Sequence, residues 1–332
     1  MLYHCRRFPQ TGTGGFVLFE NFPGKSKMVD MSESAELPMN FGGIDDEGLS
    51  SFDRSRILIW PVSYEGTVSY GSGTGRGAMS IVDASRNMEL YEEETDTEPY
   101  QVGIHTLAEF TPRETPAEMM DALYAEAKRL VDSDKFVCMI GGEHSVSAPV
   151  IKAHAEKYHD ISVLQIDAHA DLRDTYDGTP HSHASIMARV VKDMRIPSVQ
   201  VGIRSLSADE AIAIAEGLPT KIFWARDVAG KTDWIDDAIA GLTDNVYLTI
   251  DIDGLDPAIM PTTGTPEPGG LGWYETLELI RRTAEKKNIV GMDLVEYSFN
   301  DLFDAPAFLC SKLIYKSLAY VVRDSLSRVA GA

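Results

Sequence analysis

Little in this 332-residue chain could cross-link it. Its three cysteines, Cys5, Cys138 and Cys310, are odd in number, widely spaced and without a CxxC pair. That excludes a disulfide framework or a zinc knuckle and fits a reducing cytoplasm. No apolar run approaches the roughly 20 residues that cross a bilayer, so a soluble protein is expected. Basic charge is also scarce: 30 Lys and Arg stand against 51 Asp and Glu, a formal charge of -21. Nucleic-acid binders present a basic face, so that partner class is excluded and a small cationic partner is favoured. The glycines of "SYGSGTGRGAMS" lack the Gly-Lys-Ser/Thr of a phosphate loop. There is no internal repeat, and the acidic stretch "EEETDTEPY" from Glu92 reads as a solvated loop.

The first thirty residues begin with basic side chains but contain only the four-residue apolar run "FVLF", too short for a signal peptide. They read as a loose arm, with translation from Met28 or Met31 as an alternative. The expected division is an arm over 1–50 and a single catalytic domain over 51–332, since α/β sheets grow to this size around one core.

Strand-like runs occur at "RILIWPV" from Arg56, "KFVCMIGG" from Lys135, "ISVLQID" from Ile161 and "NVYLTIDID" from Asn245. Further runs are "SVQVGIRS" from Ser198, "KIFWARD" from Lys221 and "NIVGMDLVE" from Asn288. Helical periodicity lies between them at "TPAEMMDALYAEAKRLVDS", "VSAPVIKAHAEKYH" and "WYETLELIRRTAEKK". Continuously apolar strands alternating with helices predict a three-layer α/β/α sandwich with a largely parallel sheet; a closed α/β barrel is the alternative. The amphipathic "AFLCSKLIYKSLAYVVRDSL" could cover its own sheet or a second subunit.

Polar groups gather where these runs end. His144 follows "FVCMI"; Asp167, His169 and Asp171 follow "ISVLQ"; Asp251 and Asp253 follow "VYLTI"; Glu296 follows "NIVGMDLV". In open α/β sheets the carboxyl edge of the strands is where ligands bind. A lone Asp after a strand ordinarily caps the next helix. Four such sites on four strands are better explained by a metal centre, because unpaired buried carboxylates are costly. Oxygen-rich donors with two imidazoles and no thiolate suit manganese. Four aspartates and two histidines exceed one ion, whereas two ions sharing carboxylates would use them all and activate a water between them.

"GGEHS", "DAHADLRD", "SHAS", "DIDGLDP" and "GMDLVEYS", in this order and spacing, resemble the ureohydrolase family of arginases and agmatinases, from about "ILIWPVSYEGTVSYGSGTGRGAMSI" to the C-terminus. The resemblance implies an α/β/α sandwich carrying two Mn2+ ions per subunit, in a trimer or hexamer. It implies that His144, Asp167, Asp171 and Asp251 hold one ion and Asp167, His169, Asp251 and Asp253 the other, with Asp167 and Asp251 bridging. Glu296 would pair with a guanidinium, whose planar fork suits a carboxylate. His183 matches the family's proton-handling histidine, with His181 two residues away as the alternative. "TGTPEPGG" from Thr263 would wall the site and "GIRS" from Gly202 end a strand. A surface or core role is expected for His154 and His159, and none in any motif for His4 and His105.

The implied reaction is hydrolysis of a guanidino group to urea and an amine, with Asp171, Asp253 or His183 protonating the departing nitrogen. In arginases the loop after "DAHAD" carries Asn and Ser donors for the substrate carboxylate. Here that loop reads "DLRDTYDGTPHSH", and Asp174 and Asp177, facing the pocket, would repel a carboxylate and attract an ammonium. Arg173 is the counter-argument. The segments "PVSYEGTVSYGSGT" and "ASRNMELYEEE" resemble the agmatinase branch, which places agmatine first, an aminopropylated agmatine second, and arginine or guanidinobutyrate behind. A single-zinc deacetylase is disfavoured by the second Asp-x-Asp motif, a dinuclear phosphoesterase by the missing "GNH", and a non-catalytic paralogue by the complete ligand set.

Overall fold

The computed structural model describes residues 38–329. The expected loose arm up to residue 37, the alternative starts Met28 and Met31, Cys5 and His4 lie outside them. The packed body begins earlier than the expected boundary at 51, because Phe41 and Ile44 are buried in the core.

Eight strands form one sheet: β1 Ile57–Val62, β2 Ile104–Thr106, β3 Phe136–Gly141, β4 Ile161–Ile166, β5 Ser198–Ile203, β6 Thr220–Trp224, β7 Asn245–Asp251 and β8 Asn288–Val295. Their order is β2-β1-β3-β8-β7-β4-β5-β6, and every pairing is parallel. The last strand in sequence thus lies in the middle of the sheet. The sheet is open at β2 and β6, so the layered reading holds and the barrel alternative does not. Strand β2, three residues long, is an addition to the seven expected runs.

Side chains alternate between faces with period two. Ile57 and Ile59 point into a core beneath helices Gly77–Ser85, Trp273–Lys286 and Ala305–Val322. Leu58, Trp60 and Val62 point into a second core beneath helices Pro116–Val131 and Ser147–Lys157. Burial on both faces is why the strands read as unbroken apolar runs. The Pro116–Val131 helix starts at a capping box, Thr115 accepting from the Glu118 N–H, with Pro116 in the first turn.

The C-terminal helix Ala305–Val322 buries Cys310, Leu313, Ile314 and Leu318 within the chain, against its own sheet layer. Cys138 and Cys310 are free and buried. The stretch after Tyr91 is not the solvated loop its charge suggests. Glu92 is fully buried, and Lys316 reaches Glu92, Glu93 and Glu94 at 2.6, 2.8 and 3.2 Å. This lysine, itself buried, fastens that segment to the C-terminal helix. Among the described residues no helix is long and apolar enough to cross a membrane.

Candidate active site

Strands β3, β8, β7 and β4 are adjacent in the sheet, and all four deliver polar groups at their carboxyl ends. His144 opens the turn after β3 and is buried. Its Nδ1 lies 3.2 Å from Asp167 Oδ2, 3.1 Å from Asp171 Oδ2 and 3.3 Å from Asp251 Oδ2. A second group forms around His169, whose Nδ1 is 3.0 Å from Asp253 Oδ2 and 3.7 Å from Asp167 Oδ1. Asp167 presents one oxygen to each group, as a bridging carboxylate must. Asp251 joins the His144 group through Oδ2, while its Oδ1 accepts the Asp253 N–H at 2.9 Å. The cap and the cluster are therefore both real for this residue.

The residues fit a pair of divalent cations. Among the described residues His144 Nδ1 is buried without a hydrogen-bond partner, while its Nε2 contacts Thr249 Oγ1 at 2.9 Å. Thr249 in turn donates to Asp293 at 2.6 Å, so the imidazole is held with a proton on Nε2, and Nδ1, turned to three carboxylates, is the nitrogen available to a cation. Gln165 donates to Asp167 Oδ2 at 2.5 Å, and Gln200 donates to Gln165 and to the Ala170 carbonyl. Thr249, Asp293, Gln165 and Gln200 were not expected. Their signal was present, each being a polar side chain inside an apolar strand run.

The electrostatics carry the same message. Burial pushes Asp171 up to about 7, helped by the charge of Asp167. Burial likewise raises Asp251, with Asp253 and Asp167 beside it, and Glu296, with Glu143 beside it. Burial would lower His169, but Asp253 and Asp167 overcome it and lift the imidazole to about 12. Without a metal the cluster thus retains protons that a cation would displace.

Glu296 follows β8 and uses Oε1 to accept the His144 N–H at 2.6 Å. Gly264, from "TGTPEPGG", faces its other oxygen: a Cβ there would lie 3.6 Å from Oε2. Glu296 and Asp171 both have left-handed backbones, φ 66° and 52°. Such strain in non-glycine residues concentrates at functional sites. The "GIRS" arginine, Arg204, clasps the turn after β7 through the carbonyls of Asp253, Gly254, Leu255 and Glu267.

His183 is half-buried, and burial lowers its pKa. Thr67 and the edge of Tyr176 touch its ring. Among the described residues no hydrogen bond engages the His181 side chain, and its backbone N–H donates to Thr179 Oγ1. His154 is a core residue, its Nδ1 on the Val150 carbonyl and its ring against Tyr247; His105 contacts Ser50 and Phe52.

The loop acids are placed differently from the expectation. Asp174 is exposed and gives its carboxylate to Lys192 at 2.7 Å, so its charge is compensated within the protein. Asp177 is exposed in a tight turn closed by reciprocal Tyr176 and Thr179 backbone bonds, with φ 48° followed by Gly178 at 81°. An Asp-Gly pair is what such a turn requires, which accounts for its identity without a ligand. Arg173 lies over Tyr176 and 3.7 Å from Glu210. Both cations of this region therefore have acidic neighbours.

A layered, parallel α/β sheet with two carboxylate–imidazole groups sharing one aspartate at its carboxyl edge defines the class, a ureohydrolase-type enzyme with an arginase-like fold. The model of the arginase family matches residues 55–319, and the chain belongs to that family. It is 38% identical over 286 residues to an N(1)-aminopropylagmatine ureohydrolase of Synechocystis sp., covering 83% of this chain and 92% of that one. With a Bacillus cereus agmatinase it shares 34% over 280 residues, 81% and 92% of the two chains. Among solved structures, the agmatine ureohydrolase of Thermoplasma volcanium superposes with a TM-score of 0.77 at 26% identity, covering 88% of this chain and 97% of that one.

Proposed function

We propose that this ureohydrolase acts on a guanidino-alkylamine, releasing urea and a polyamine, with two manganese ions held by His144, Asp167, His169, Asp171, Asp251 and Asp253. The observation that carries the metal assignment is the buried Nδ1 of His144 facing three carboxylate oxygens while its Nε2 is engaged by Thr249. When bound, the ions supply Lewis-acid activation of a water at neutral pH, which a delocalised and poorly electrophilic guanidinium carbon requires.

The chain's own groups do the rest. Glu296, fixed by the His144 N–H through one oxygen, offers the other to the planar guanidinium. Gly264 leaves open the space in front of that oxygen. Asp171 or His183 passes a proton to the departing amine; burial lowers the His183 pKa, which leaves its imidazole neutral and able to exchange a proton at the site.

Two observations support an amine rather than an amino acid as the far end of the substrate. The chain carries a formal charge of -21, and Arg173 and Lys192, the cations beside the site loop, are already faced by Glu210 and Asp174. This charge argument fits agmatine and N1-aminopropylagmatine equally. The relative at 38% identity favours the longer amine, reversing the order read from sequence, with agmatine as the second reading. Urea release from aminopropylagmatine, agmatine, guanidinobutyrate and arginine, compared at equal concentration with added manganese, tests the assignment. A highest kcat/KM for either carboxylate-bearing compound would reject it.

A further inference from the structure

Thr67 and Glu143, outside every ligand set above, form a polar unit behind His183. Glu143 is fully buried, and its Oε2 accepts the backbone N–H groups of Gly66 and Thr67, both at 2.6 Å. Its Oε1 accepts the hydroxyls of Thr67 and Ser145, also at 2.6 Å. The loop bearing Thr67 is pressed onto the turn after β3: a Cβ at Gly142 would lie 2.0 Å from the Tyr64 carbonyl oxygen. Thr67 is therefore held to Glu143 by two hydrogen bonds, through its backbone N–H and its hydroxyl, which leave the hydroxyl one orientation.

That orientation has a chemical consequence. A carboxylate holds no proton to give, so the single hydroxyl proton of Thr67 goes to Glu143, and the Thr67 oxygen meets His183 only as an acceptor. It lies 3.2 Å from the His183 backbone nitrogen and 3.3 Å from Nδ1. Ser182 Oγ is 3.4 Å from the same Nδ1, but its hydroxyl can donate or accept and so does not choose between tautomers. Tyr176, edge-on with ring centroids 5.5 Å apart, limits rotation of the ring.

We propose that Thr67, oriented by Glu143, is a positioning residue that sets the tautomer of His183, placing the proton of the neutral ring on Nδ1. Nε2, which has no hydrogen-bond partner among the described residues, is then the nitrogen that exchanges protons. The catalytic consequence rests on the reading of His183 as the proton-handling group; the tautomer itself does not.

The test uses full-length protein labelled with 15N-histidine. Ring 15N–1H correlation spectra are recorded at pH 8, where burial keeps His183 neutral, and the His183→Ala spectrum identifies its signals. Wild type and Thr67→Ser show a protonated Nδ1. Thr67→Val, which lacks the acceptor, shifts the proton to Nε2. Glu143→Gln shifts it too: its amide oxygen takes the two backbone N–H groups, its NH2 donates to Thr67, and the freed threonine proton turns to Nδ1. Turnover falls about tenfold in Thr67→Val, part of the ~10²-fold or more that a general acid–base group supplies, and stays near wild type in Thr67→Ser. A protonated Nε2 in wild type, or an Nδ1 proton retained in Thr67→Val, overturns the proposal. Undiminished turnover in His183→Ala would reject the role of His183, while the spectra would still decide the role of Thr67.

Discussion

Stripping the metal should invert the ordinary pH dependence of a carboxylate-rich protein. In the apo cluster Asp171 has its pKa moved from 3.8 to about 7, chiefly by burial. A carboxyl raised in this way binds its proton more tightly folded than unfolded. Its stabilising contribution is complete below 3.8 and is lost as the pH climbs to about 7. A shift of this size at ~1.4 kcal/mol per unit costs about 4 kcal/mol above neutrality, an order-of-magnitude figure. Asp251 and Glu296 are raised as well and act in the same direction. His169, raised to about 12, loses its contribution as the pH rises above 6.5. Asp167, which burial would raise but His144 and His169 pull below its ordinary value, opposes the trend alone among the cluster's shifted carboxylates. Chelator-treated protein should therefore unfold at lower urea concentration at pH 8 than at pH 5. Manganese should restore stability most at pH 8, and calorimetry in buffers of different ionisation enthalpy should show protons released as it binds. Apo stability that is flat or rising from pH 5 to pH 8, or metal binding without proton release, would refute the reasoning.

Asp251→Asn should lose at least one equivalent of metal and nearly all activity; full occupancy by elemental analysis would rule out its place among the ligands. His183→Ala should lower urea release by about 10²-fold or more with metal retained, and His181→Ala far less, within the usual reach of general acid–base groups; the reverse order would move the role to His181. Lys316→Met should cost about 3–5 kcal/mol in urea unfolding, because Glu92 is left buried without its cation. Adding Glu92→Gln should recover part of that loss, and no recovery would mean that the ion pair is not its source.

The central strands were legible because burial on both faces leaves long apolar runs, and the clustered aspartates and histidines because each interrupts the end of such a run. The edge strand Ile104–Thr106 was not, being three residues with one buried side chain. "EEETDTEPY" misled because its cation, Lys316, arrives from 224 residues further along the chain. Thr67 and Glu143 escaped for the same reason, since a hydrogen bond across 76 residues leaves no local spacing to read. Asp174 was misplaced because charge was weighed without Lys192, its partner 18 residues on.

The position of β8 between β3 and β7 imposes an order on biosynthesis. Until residues 288–295 join, each of those neighbours is an open parallel edge, and the sheet exists as two unconnected halves. His144 belongs to one half and the Asp167 to Asp253 groups to the other, so the cluster in which His144 faces three carboxylates cannot form before β8 joins the halves. At ~5–20 residues per second, the ribosome takes roughly eight to thirty seconds to travel from the end of β3 to the end of β8. By the end of that interval, once β7 has emerged, the growing chain carries two apolar edges and an unneutralised carboxylate cluster. Completion of the proposed two-ion site thereby waits for β8, and shielding those edges falls to whatever chaperones meet the chain during synthesis.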